Sequence, residues 1–128
     1  MELRELEVYN LSEKLSDTIW DIVIKWDYFA RETIGKELVR AADSIAANIA
    51  EGYGRYHYKE NKNFCYFARG SLEETKTWLR KSIRRDLIDQ SKHQELFDII
   101  KKLPRLLNSY IRSIGTERRS LVINSNDQ

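Results

Sequence analysis

Residues 34–54 read Ile34-Gly35-Lys36-Glu37-Leu38-Val39-Arg40-Ala41-Ala42-Asp43-Ser44-Ile45-Ala46-Ala47-Asn48-Ile49-Ala50-Glu51-Gly52-Tyr53-Gly54. Ile34, Leu38, Ala41, Ile45, Ile49 and Tyr53 recur at steps of three and four, the spacing of one helix face. Ala42, Ala46, Ala47 and Ala50 spread small side chains around the rest of the helix. Small side chains on several faces let neighbouring backbones approach, so burial on more than one side is expected. Gly52 and Gly54 should end the helix, since glycine adopts the left-handed C-cap conformation without penalty.

Upstream, Leu11, Leu15, Ile19, Ile22, Trp26 and Phe29 form a second series of the same period. This first helix should end near Lys25–Tyr28, and Thr33 reads as the N-cap of the next, with Glu37 near its first turn. Downstream, Arg55-Tyr56-His57-Tyr58 reads as a turn, and a third helix should run from about Lys59 to Arg85. At 100° per residue, Phe64, Phe67, Ala68, Ser71, Thr75, Trp78, Leu79 and Ser82 share an arc of about 120°, the expected core side. Gly70 costs roughly 1 kcal/mol against alanine in mid-helix, and close helix packing beside Ser71 is its expected return. Asp86–Gln90 makes a short connection, with Asp89 or Ser91 as N-cap of a fourth helix. Leu96, Ile99, Leu103, Leu107, Tyr110 and Ile114 define that helix, Pro104 should kink it, and Gly115 should stop it. Four amphipathic helices with short links predict an all-α, antiparallel up-down-up-down four-helix bundle over residues 1–115. Residues 116–128 read as a flexible polar tail.

Composition agrees. The 128 residues fit one domain, and with one Pro and five Gly there are too few turn residues for a sandwich or barrel. A single cysteine cannot close an internal disulfide, which suits a reducing compartment. The N-terminus lacks the continuous apolar stretch of a signal peptide, and no apolar run approaches the roughly 20 residues of a membrane span. A cytoplasmic protein without a membrane partner is expected. From Lys36 to Arg85 there are eleven Lys/Arg and six Asp/Glu, an excess of five. The whole chain carries +2, so the flanks sum to −3.

The basic residues of the third helix are ordered. Lys59, Lys62, Arg69, Lys76, Arg80 and Arg84 share an arc of about 100°, with Glu73 the only acid and Tyr66 among them. From Lys62 to Arg84 the stripe is roughly 33 Å long, about one duplex turn. Cations in a line neutralise phosphates and release counterions, and Tyr66 could stack on a base. With Arg55, these residues are the candidate contacts for RNA or DNA. A helix that is merely wet on one side would carry mixed signs instead.

On the second helix Arg40, Ser44, Glu51 and Arg55 share a face, with Asn48 at its edge. Glu51 and Arg55, four apart, can pair along the helix. With Glu74 of the third helix as a further partner, Arg40, Ser44, Asn48, Glu51 and Glu74 are the candidate helix or subunit interface. Alanines beside them argue against a purely solvated face. Catalytic chemistry is not expected. Cys65, His57 and His93 lack metal-ligand spacing, Cys65 falls near the core arc, and Glu73 and Glu74 point apart. No cofactor or metal is predicted.

Two stretches carry a family resemblance. Residues 38–55, Leu-Val-Arg-Ala-Ala-Asp-Ser-Ile-Ala-Ala-Asn-Ile-Ala-Glu-Gly-Tyr-Gly-Arg, and residues 67–74, Phe-Ala-Arg-Gly-Ser-Leu-Glu-Glu, resemble the S23 family. These are bacterial four-helix bundle proteins encoded in intervening sequences of 23S ribosomal RNA genes. The accessory variability proteins of diversity-generating retroelements look like relatives. The motif positions fall on Arg40, Ser44, Asn48, Glu51, Gly52, Gly70, Ser71 and Glu74. The resemblance implies a homopentamer with a central channel and, for the retroelement branch, binding of nucleic acid or of a reverse transcriptase. The expected function is a non-catalytic, oligomeric nucleic-acid-binding bundle. The alternatives are a scaffold for a nucleic-acid enzyme such as a reverse transcriptase, or a structural oligomer without ligand.

Overall fold

Leu15, Ile19, Leu38, Ile45, Ile49, Leu72, Leu103 and Leu107 are almost entirely shielded from solvent. They come from four long helices in a computed structural model that describes residues 2–116. Helix α1 spans Glu7–Val23, α2 Lys36–Tyr53, α3 Tyr58–Arg84 and α4 Gln90–Ser113. No strand occurs among the described residues. Helix α1 packs on α2 and α4, and α3 packs on the same two helices, so the four close around one core. The α2–α3 interface is the most extensive. Residues 117–128, most of the tail expected to be flexible, lie outside the described residues.

The entry to α2 differs from the sequence expectation. Asp27, not Thr33, is the cap: its carboxylate accepts from Ala30 N at 3.0 Å. A short helix, Tyr28–Ala30, then runs through a π-helical segment, Arg31–Gly35, straight into α2. Thr33 sits inside this run and donates its hydroxyl to Phe29 O at 2.7 Å. The apolar residues that set the period begin after Thr33, which hides a helical start resting on a single carboxylate.

Glycine roles are also redistributed. Gly52 is buried within α2, where an added Cβ would lie 2.8 Å from Asn61 O and 2.9 Å from Phe64 Cβ. It marks the close approach of α2 to α3. Gly54 caps α2 with φ −77°, so no left-handed residue ends that helix. Gly70 has no neighbour within 4 Å of an added Cβ, so the expected close packing at that position is absent. Gly115 does adopt the left-handed conformation, φ +90°, against the ring of Tyr58.

On α3 the buried set is Cys65, Ala68, Leu72, Thr75, Leu79 and Ser82. This arc is rotated by about 50° from the expected one. Phe67, expected in the core, is 59% exposed, and Ser71 and Trp78 are half-buried. The interior tolerates its hydroxyls because each is returned to the backbone one turn back. Ser12 donates to Val8 O at 2.7 Å, Thr75 to Ser71 O at 2.7 Å and Ser82 to Trp78 O at 2.8 Å. Helix α4 starts at the expected cap, Asp89, which accepts from Lys92 N at 3.2 Å, and continues through Pro104. No described helix is long and apolar enough to cross a membrane.

Candidate nucleic-acid interface

The rotation of α3 decides where its basic stripe faces. With the core arc shifted, the stripe does not lie opposite the core but leans toward α4. Arg69 shows this directly: its guanidinium donates to Asn108 Oδ1 of α4 at 2.6 Å and lies 5.4 Å over the Tyr66 ring. The α3–α4 seam therefore has a basic wall.

The predicted contacts divide along this seam. Lys59, Lys62 and Tyr66 line a cavity of about 390 Å³ at one end, together with Ile114 and Gly115 of the α4 terminus. Lys76 and Arg80 line a second cavity, of about 550 Å³, toward the other end, with His93 and Phe97 of α4. Lys76 is held by Glu73 at 3.0 Å and its side chain is only 22% exposed. Arg80 donates to Thr77 Oγ1 at 3.4 Å. Lys59, Lys62, Arg80 and Arg84 make no ion pair among the described residues. Arg55 does not join them. It is tied to Glu51 at 2.6 Å and Glu60 at 3.6 Å, with its guanidinium over Phe64, and it staples the α2–α3 turn.

Helix α4 adds bases that its sequence does not single out. Lys101, Arg105 and Arg112 are exposed, and on the helical wheel they fall within about 60° of Asn108, the residue that meets Arg69. The seam thus has cations on both walls. Their spacing around Asn108 is visible in the sequence, but only the Arg69–Asn108 hydrogen bond says which side of α4 meets the stripe.

The polar residues of α2 satisfy one another. Ser44 donates to Arg40 O at 2.8 Å, Asn48 to Ser44 O at 2.8 Å, and Arg40 pairs with Glu37 at 3.8 Å. Glu74 is exposed and makes no ion pair among the described residues, so Arg40 and Glu74 are not brought together. Arg40 and Ser44 instead edge a groove of about 570 Å³ between α1 and α2, beside Trp20, Ile24, Val39 and Ala47. Asp43 also lines it, and burial, then Asp17 and Glu13, raises its carboxyl above the usual range.

Cys65 is fully buried, donates weakly to Asn61 Oδ1 at 3.7 Å, and has its thiol pushed up to about 11 by burial, with Arg69 opposing. Such a thiol stays protonated and is a poor nucleophile. The described residues hold no group of three His, Cys, Asp or Glu side chains able to bind a metal.

Four long helices closed around one core define the fold class. The chain belongs to the family of 23S rRNA-intervening sequence proteins, whose characteristic sequence pattern matches residues 4–109. It is similar to a protein of unknown function from the S23 ribosomal protein family of Bacteroides thetaiotaomicron VPI-5482. That crystal structure aligns with a TM-score of 0.71 at 23% identity, over 81% of this chain and 97% of the other. The likeness establishes the fold. A comparison with curated proteins finds no match.

Proposed function

We propose that this protein is a non-catalytic, cytoplasmic homo-oligomer of antiparallel up-down-up-down bundles that binds RNA or DNA along the α3–α4 seam. The observation carrying this reading is the set of four cations, Lys59, Lys62, Arg80 and Arg84, without an acidic partner among the described residues. They share one side of α3, and the exposed Lys101, Arg105 and Arg112 fall on the side of α4 that carries Asn108, the partner of Arg69. Phosphate is the ligand such a line of unpaired charge suits, because each contact releases condensed counterions.

Self-association has separate support. Phe67 is exposed and Gly70 has open space above it. With Glu74, these lie on the side of α3 turned away from the seam. A pentamer, as the resemblance implies, would multiply a weak seam by avidity.

Fluorescence anisotropy with a labelled RNA and DNA at low salt tests the reading. Binding should weaken steeply with salt, and replacing Lys59, Lys62, Arg80 and Arg84 with Gln should abolish it. Equal affinity in that variant sinks the proposal. Light scattering on the same sample tests the assembly, and a monomeric mass overturns it.

A further inference from the structure

Two subsites of one kind lie along the α3–α4 seam. In the larger cavity, Leu79, Ile83, Leu96 and Ile100 form an apolar lining, and Lys76 and Arg80 stand beside it. Phe97 shares that lining and is 60% exposed. In the smaller cavity Tyr66, also substantially exposed, sits with Lys59 and Lys62. Arg69, bonded across to Asn108, stands between them. From Tyr66 to Arg80 the rise along α3 is roughly 21 Å.

The combination selects among nucleic acids. A cation line alone suits any phosphate backbone, duplex or single-stranded. A solvent-facing aromatic ring beside a cation asks for more: a flat π surface to cover the ring, with an anion next to it. An unpaired nucleotide supplies both. A duplex does not, since its bases are stacked on one another and present only edges and phosphates to a helix face. The apolar lining behind Phe97 favours a base over water in the same way.

We infer that the α3–α4 seam takes single-stranded nucleic acid, with one unpaired base stacked on Phe97, another on the face of Tyr66 that Arg69 leaves open, and phosphates on Arg80 and Arg69 between them and on Lys62 beyond Tyr66. This rests on the nucleic-acid reading above and adds the class of strand. A protein partner, in the form of an acidic amphipathic helix, is the rival occupant of the same chemistry. The single strand is favoured because the aromatic and cationic groups recur at two separated points rather than forming one apolar stripe.

The test uses the full chain with a labelled 20-nucleotide single-stranded RNA, the corresponding blunt duplex, and a labelled acidic amphipathic peptide. The single strand should bind at least tenfold more tightly than the duplex at matched salt. Phe97→Ala should lose roughly 10- to 100-fold in single-strand affinity, about 1.4–2.8 kcal/mol at 1.4 per tenfold. Phe97→Tyr should restore most of it, and duplex affinity should not move. Phe97 is exposed, so both variants should keep the wild-type circular dichroism and melting curve. Equal binding of both nucleic acids with no effect of Phe97→Ala overturns this inference and leaves the basic-seam reading standing. Failure of both nucleic acids to bind overturns the two together. Peptide binding that Phe97→Ala abolishes, with neither nucleic acid bound, replaces the strand by a protein.

Discussion

At the scale of single residues, two glycines make opposite demands. Gly52 is required by its surroundings: any side chain there meets the backbone of α3 at under 3 Å. Gly70 meets nothing within the chain that would require it. Gly52→Ala should therefore destabilise by about 1–3 kcal/mol through overpacking. Gly70→Ala should stabilise the isolated subunit by about 1 kcal/mol from helix propensity. Urea denaturation of the two variants checks both signs. If Gly70→Ala also lowers the mass in solution, the open space above Gly70 is filled by a neighbouring copy. Both glycines stand inside helical periodicity, so their difference is not legible in the sequence. It depends on what lies across the interface, and only the orientation of α3 fixes that.

At the scale of elements, helix existence is legible in the sequence and helix ends are less so. The apolar series of α2 and α4 reach the core through their steps of three and four, as do Leu15, Ile19 and Trp26 of the first series, whose last member, Phe29, lies beyond α1 and is 76% exposed. Asp89 is identifiable as a cap because it precedes its series directly. Asp27 is not, because a π-helical segment and a turn of exposed aromatics separate it from the series it starts. Asp27→Ala should cost about 1 kcal/mol, the ordinary effect of removing an N-cap. Thr33→Ala should cost much less, since its hydroxyl only returns to a carbonyl already inside the helix. Thermal melts of the pair distinguish which residue begins the run. On α3 the bulk of Phe64 and Phe67 suggests burial and so misplaces the arc. Cys65, Ala68 and Leu72 fill the interior instead, since small residues admit the close approach of α2.

At the scale of the whole molecule, the basic surface is a property of two helices rather than one. The stripe on α3 is legible in the sequence as a set of residues, but its direction is not. Charge and spacing group Arg55 with it, yet two carboxylates hold that residue elsewhere. Lys101, Arg105 and Arg112 do not stand out in the sequence because a helix wheel has no information about its neighbours. Neutralising these three should flatten the slope of log affinity against log salt by roughly 2–3, at about 0.7–0.9 for each phosphate no longer neutralised. A titration series in potassium chloride measures it. An unchanged slope would confine binding to α3.

The buried thiol of Cys65 gives this fold a built-in clock. It is the only cysteine in the chain, is shut off from solvent, and lies on the buried face of α3. A thiol-specific reagent can reach it only when the helices part, and its high protonation slows reaction further until they do. The rate of modification therefore counts openings of the bundle, much as amide exchange does, but at one interior atom with a colorimetric signal. Any ligand on the seam or neighbour on the far side of α3 that holds the helices together will lengthen the interval between those openings.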